Sequence, residues 1–138
     1  AFTKENGSMC LMQIGGRMRS GKIHDGRAPD YDDWSLNCDI VLYYPILDCA
    51  FEVSSMGIRV DAETLENQLV LAGEESRRHL PFHKAVLEEQ LPLTIGGGLG
   101  QSRICMFLLG KAHVGEVQAS IWPDAMERSC KKHGIVLL

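Results

Sequence analysis

The stretch that most constrains this chain is Leu93 to Gly110, LTIGGGLGQSRICMFLLG. Leu93 and Ile95 bracket a threonine in strand-like alternation. Gly96, Gly97, Gly98 and Gly100 follow, where bare backbone lets a ligand or another strand come close. Gln101 and Ser102 lead into Arg103, and the apolar run Ile104, Met106, Phe107, Leu108 continues as a helix. A helix N-terminus offers unpaired N–H groups and partial positive charge, so anions bind there. Arg103 adds a permanent charge and a planar fork of donors that suits phosphate. The stretch predicts a nucleotide phosphate site centred on Arg103. The same residues also fit a turn that serves close packing alone, with the arginine in solvent. Two common phosphate motifs are excluded. Counting from Gly98, Arg103 stands where the third glycine of G-x-G-x-x-G belongs, and Gly110-Lys111 is followed by Ala112 where a P-loop needs Ser or Thr.

With 138 residues, 45% apolar and 23% charged, the chain suits one globular domain with one core. Its net charge of −4 argues against a dedicated nucleic-acid module, which normally shows a basic face. Cys10, Cys38, Cys49, Cys105 and Cys130 include no C-x-x-C pair. Their odd count predicts reduced, mostly buried thiols in a cytoplasmic protein, and their spacing supports no zinc site. No apolar run reaches the ~18 residues of a membrane span, and no signal peptide stands at the start. The opening AFTKENGSMC lacks an initiator methionine and predicts a cut through a longer chain.

Taken in order, Met9 to Ile14 reads as a buried strand ended by Gly15-Gly16. Arg17 to Asp33 reads as a long loop dense in both charge signs, with Arg17, Arg19, His24, Asp25, Arg27, Asp30, Asp32 and Asp33. Such a loop is either functional or a solvated rim. Cys38–Leu47 and Ala50–Val60 read as strands of an antiparallel hairpin. Asp39 and Glu52 sit early in these strands among apolar neighbours. Carboxylates there either share Mg²⁺, which takes one or two of them plus substrate phosphates, or face water or pair with Arg59. Asp61 is a helix N-cap for a packing helix with no chemistry, ended by Gly73. Pro81 starts a second helix and Pro92 ends it. His79 and His83, with Pro81 between them, read as surface or capping residues. Val114 to Pro123 predicts a last strand with Val117, Ala119 and Ile121 on one face. Asp124 opens a final helix that Gly134 caps.

Several of these stretches resemble a known family. Gly96, Gly98, Gly100 and Arg103 are similar to motif 3 of class II aminoacyl-tRNA synthetases. GRAPDYDDW (Gly26–Trp34), FEVSSMGIRVD (Phe51–Asp61), TIGGGLGQSR (Thr94–Arg103) and the ending VQASIWP together resemble the aspartate–ammonia ligases, the type A asparagine synthetases. The resemblance covers nearly the whole chain and matches the C-terminal part of the family's longer proteins. It implies an α+β fold, a mainly antiparallel mixed sheet flanked by helices, in a class II synthetase-like catalytic core. Residues 1–138 would form one domain, part of a larger catalytic domain, in a cytoplasmic homodimer. It implies ATP-dependent activation of L-aspartate as an aspartyl adenylate, which ammonia converts to L-asparagine.

The resemblance also implies roles. Arg103 binds ATP phosphate; Asp39 and Glu52 hold Mg²⁺; Asp32 meets the substrate ammonium. Ser55 hydrogen-bonds the same substrate or adenylate, and Gly97, Gly98 and Gly100 admit adenine and ribose. Asp33, Arg59 and Arg27 are implied as supporting partners. Trp34 to Asn37 is tight where the family carries a longer loop, so either a deletion or an omitted mobile lid is expected. Two other readings stay open: the catalytic core of an aspartyl- or asparaginyl-tRNA synthetase, and a non-catalytic relative that binds nucleotide or amino acid.

Overall fold

Antiparallel pairing organises the chain, and its register can be followed bond by bond in the computed structural model, which describes residues 1–24 and 26–138. Asp25, one of the charged loop residues, lies outside them. Four strands, β1 (Ser8–Met12), β2 (Asp32–Tyr44), β3 (Cys49–Arg59) and β4 (Ile95–Leu99), form one sheet in the order β1-β2-β3-β4. Gln13 N donates to Asn37 O at 3.3 Å and Tyr43 N to Gly7 O at 2.8 Å, so β1 and β2 run in opposite senses. Arg59 N donates to Thr94 O and Gly100 N to Val53 O, each at 2.9 Å, which makes β3 and β4 antiparallel too. The β2–β3 hairpin turns at Pro45–Asp48, where Asp48 adopts φ 46°. The expected α+β class and hairpin hold. The sheet is antiparallel among the described residues, with no mixed part.

By internal contacts the residues fall into two compact units. The first comprises Ala1–Met9, Ile40–Ser54 and Leu99–Leu138, the second Cys10–Asp39 and Ser55–Gly98. In the second, α2 (Ala62–Ala72) follows the Asp61 cap, whose carboxylate accepts from Thr64 N at 2.8 Å. Gly73 at φ 69° ends it, a backbone conformation in which a side chain is strained. Leu65 and Leu69 are fully buried with Val60 and Val86, each leucine contributing about 1.5–3 kcal/mol by leaving water. The 3-10 turn Glu75–His79 leads to α3 (Pro81–Leu87), which ends short of Pro92.

In the first unit, α1 (Phe2–Asn6) precedes the sheet, and the Tyr44 ring lies 4.9 Å from Phe51 and 5.6 Å from Phe107. Its hydroxyl reaches the carbonyls of Met106 and Lys111 near the end of α4 (Gln101–Leu109), and burial raises its pKa. The chain ends with α5 (Asp124–Lys132).

Further expectations need correction, β1 among them: read as buried, it alternates exposed and half-buried residues. The glycines do not simply follow the strand: Gly96, Gly97 and Gly98 lie within β4, and Gly100 stands at the helix start. No strand forms over 114–123. The His113 side chain takes Gly115 N while Glu116 takes His113 N, closing a 3-10 turn at Val114–Glu116, and Ile121 is 98% exposed. Alternation without a partner strand makes no sheet. The cysteines are not all reduced: Cys10 on β1 and Cys38 on β2 form a disulfide, because strand pairing brings their Cα atoms to 6.1 Å. Of the free thiols only Cys130 is buried, and Cys105 is exposed. Finally, Trp34 to Asn37 runs inside β2 as continuous strand, which begins at Asp32 where the sequence reads a loop up to Asp33. Among the described residues no helix is long and apolar enough to cross a membrane.

Candidate functional site

The described residues of 17–24 and 26–31 have little regular structure, yet they deliver one side chain into the second unit's interior. The Arg27 side chain is 8% exposed. Its Nη1 donates to both oxygens of Asp39, at 3.0 and 3.3 Å. Its Nη2 donates to Asp32 Oδ2 at 2.8 Å and to Ser55 Oγ. Arg59 Nη1 bonds the other oxygen of Asp32. One buried carboxylate thus bridges two guanidinium groups, and one guanidinium gathers two carboxylates and a hydroxyl. Burial opposes the charge on Arg27, but the bonds from Asp32 and Asp39 outweigh it and raise its pKa. Buried charges persist only when paired and hydrogen-bonded in this way.

Local sequence explains the convergence. β2 alternates, so Asn37, Asp39 and Val41 share its buried side. Asn37 is satisfied by the Ile14 backbone, donating to its carbonyl at 2.7 Å and accepting from its amide at 2.8 Å. Asp32 begins β2, and a Cβ at Gly57 would lie 3.0 Å from Asn37 and 3.1 Å from Asp32. At Gly96 a Cβ would overlap the Arg59 guanidinium. Bare backbone at these two positions makes room for the cluster. Arg59 also lies over the Tyr31 ring, 5.5 Å from its centroid, and the two line a mainly apolar cavity of about 500 Å³ with Val60, Phe82 and Val86.

The predicted residues divide as follows. Asp32, Asp39 and Ser55 come together in the second unit, with Arg27 at their centre. Asp33 does not join them: it accepts from Ser35 N and Ser35 Oγ at 2.7 and 2.6 Å. Gly97 lies against Met56, where a Cβ would come within 2.9 Å, and Gly98 is exposed on β4. Arg103, Glu52 and Gly100 belong to the first unit. Arg103 Nη1 donates to Glu52 O at 3.0 Å and Glu52 Oε1 at 3.3 Å, and both side chains are about half exposed. Of the alternatives open for Glu52, the side chain faces solvent, and the cation beside it is Arg103 and not Arg59. Among the described residues no side chain caps the start of α4, which leaves its first amides open to an anion.

These residues differ in their fitness for metal and nucleotide. Glu52 is a hard oxygen ligand in the open, next to a phosphate-matching guanidinium, and fits magnesium on a phosphate. Asp39 has both oxygens on Arg27 and fits a structural charge partner better. Among the described residues no group of three or more His, Cys, Asp or Glu is gathered to hold a metal.

Sequence reasoning placed Arg27 and Arg59 only as supporting residues, and missed Gln68 and His83. His83 is buried, against expectation, with Nε2 2.7 Å from Asp30 Oδ1, while Arg77 Nη1 holds Asp30 Oδ2 at 2.6 Å. Gln68 is 4% exposed on α2. The signal for it was present: it falls three residues after Leu65, inside the apolar stripe, where a polar side chain needs a partner.

Comparison with known proteins completes the description of the site. The sequence model of one family, described as aspartate-ammonia ligase, matches residues 1–134. The chain is 62% identical over 138 residues to an aspartate–ammonia ligase of Ruminiclostridium cellulolyticum, and 62% identical over 138 residues to one of Levilactobacillus brevis. Each match takes in 100% of this chain and 41% of the relative. A third, from Bacillus cytotoxicus, is 58% identical over 137 residues, 99% of this chain and 42% of the relative. The chain thus spans about two fifths of the length of the curated relatives it matches.

Proposed function

The chain belongs to the aspartate–ammonia ligase family, and from that premise we propose that the whole protein is an ATP-dependent, AMP-forming ligase that makes L-asparagine from L-aspartate and ammonia. In this reading residues 1–138 are part of a class II synthetase-like catalytic domain in a cytoplasmic homodimer. The observation that carries the reading is the family match over residues 1–134. It includes the GRAPDYDDW stretch, whose Arg27 and Asp32 build the buried charge cluster.

ATP with its magnesium supplies the leaving group that makes the aspartate carboxyl reactive. Arg103 binds phosphate and stabilises the negative charge that builds there, while Glu52 offers the metal an oxygen. Asp32, with its side chain 2% exposed, fixes the directions of two guanidinium groups, and its charge, little screened by water, attracts the substrate ammonium. Arg59, with 32% of its side chain exposed against 8% for Arg27, is the cation open to a substrate carboxylate. Ser55 adds a hydroxyl whose orientation Arg27 sets. Gly97, Gly98 and Gly100 bring backbone close to the nucleotide.

The deciding experiment uses the full-length protein with aspartate, Mg·ATP and ammonium, with and without tRNA. AMP and asparagine formed in equal amounts without tRNA is the expected result. A strict tRNA requirement replaces the reading with a tRNA synthetase, and nucleotide binding without turnover replaces it with a non-catalytic relative.

A further inference from the structure

The helix that sequence reads as packing alone grips the site from behind. Gln68 Nε2 donates to Pro29 O at 2.9 Å and Asp32 O at 3.0 Å, while its Oε1 accepts from Trp34 N at 2.7 Å. A side-chain amide has two N–H donors and one carbonyl acceptor. All three bond the Pro29–Trp34 backbone, and two of the bonds flank the Asp32 side chain. A buried amide so used has no alternative partner, so its position and that of Asp32 are set together. The same segment is held from α3 and the 3-10 turn through Asp30, which bridges His83 and Arg77.

We propose that Gln68 is a positioning residue: it sets the backbone at Asp32, and so the direction in which Arg59 faces the amino-acid substrate and the hold of Arg27 on Ser55. The proposal rests on the ligase reading. It predicts that loss of Gln68 acts on aspartate and not on ATP, because the cluster it supports contains no phosphate-binding residue of that reading. Gln68 touches no substrate; it acts through Asp32.

The test uses the full-length enzyme carrying Gln68→Met, which keeps the volume and removes all three bonds, and Gln68→Glu, which keeps the acceptor for Trp34 N. The first variant raises the aspartate KM by about tenfold or more, the scale of one or two hydrogen bonds, while the ATP KM stays within about twofold. The second loses aspartate affinity as pH rises and its buried carboxyl ionises, and recovers it as pH falls, because a protonated carboxyl donates to the Asp32 carbonyl again. Gln68→Met shows no such recovery. A structural role alone lowers the melting temperature without splitting the two KM values and without a pH-dependent rescue; that outcome overturns the proposal. Exchange of the Trp34 amide gives a readout besides activity, accelerated in Gln68→Met, and an unchanged rate there also overturns it. Failure of the ligase reading appears in the parent enzyme, as absent ammonia-dependent AMP release, before any variant is compared.

Discussion

Removing the Arg27 guanidinium tests whether the buried cluster is held together as described. In Arg27→Met the apolar stem is retained and every charged contact is lost. Asp32 keeps Arg59, but Asp39, with a side chain 12% exposed, loses the partner of both its oxygens. Breaking a buried ion pair by deleting one partner costs about 3–5 kcal/mol. The residual exposure of Asp39 and the survival of the Arg59–Asp32 pair place the expected loss at the low end, about 3 kcal/mol. Urea unfolding of the full-length protein reads this as a midpoint shift of about 1–3 M. The double variant Arg27→Met/Asp39→Asn removes the stranded charge and is expected to regain more than half the loss, a coupling that a cycle isolates. A single-variant loss under about 1 kcal/mol, or a double variant no more stable than the single, contradicts the account of why the charges are buried.

On the ligase reading, Arg103→Ala in the full-length protein should lower turnover by ~10²–10³ while leaving the unfolding midpoint nearly unchanged, since the side chain is half exposed; near-normal turnover removes its role on phosphate. Asp61→Ala should cost about 1 kcal/mol at neutral pH, the worth of an N-cap. The hydrogen bond from Thr64 N holds the Asp61 carboxyl below its usual pKa of 3.8. The folded state is therefore favoured above that pH, and the gap between parent and variant narrows as acid protonates the carboxyl; a gap independent of pH in acid urea titrations argues against the cap. For the Cys10–Cys38 bridge, alkylation of the unfolded chain segment should label three of its five cysteines before reduction and all five after it. Reduction should destabilise by about 3.5 kcal/mol on chain entropy for a loop of this span. In the cytoplasm proposed here a reducing thiol pool would act on that bridge, and five labels without reductant exclude it.

The division between what the residue order reveals and what it hides follows the range of the forces involved. Asp61, Pro81, Gly73 and the Pro45–Asp48 turn act within a few residues, through caps and fixed backbone angles, so the helices and hairpin they bound could be read directly. The alternation from Cys38 foretold a strand for the same reason, read to Leu47 where the chain turns after Tyr44, and its first residues from Asp32 went unread. The run Val114–Pro123 alternates as well, but a strand is completed by a neighbour, and His113 and Glu116 had already closed a turn there.

The sequence by itself determined the family, through stretches such as GRAPDYDDW and TIGGGLGQSR, and named Asp32, Asp39, Ser55 and Arg103 as residues of interest. Only tertiary structure decided what those residues touch. Arg27 reaches Ser55 across 28 positions, and Gln68 reaches Asp32 across 36. Cys10 finds Cys38 through strand pairing, and His83 is buried by its bond to Asp30. A charge or amide removed from water must find a partner, but which partner is fixed by how distant segments pack, and spacing along the chain carries no record of that.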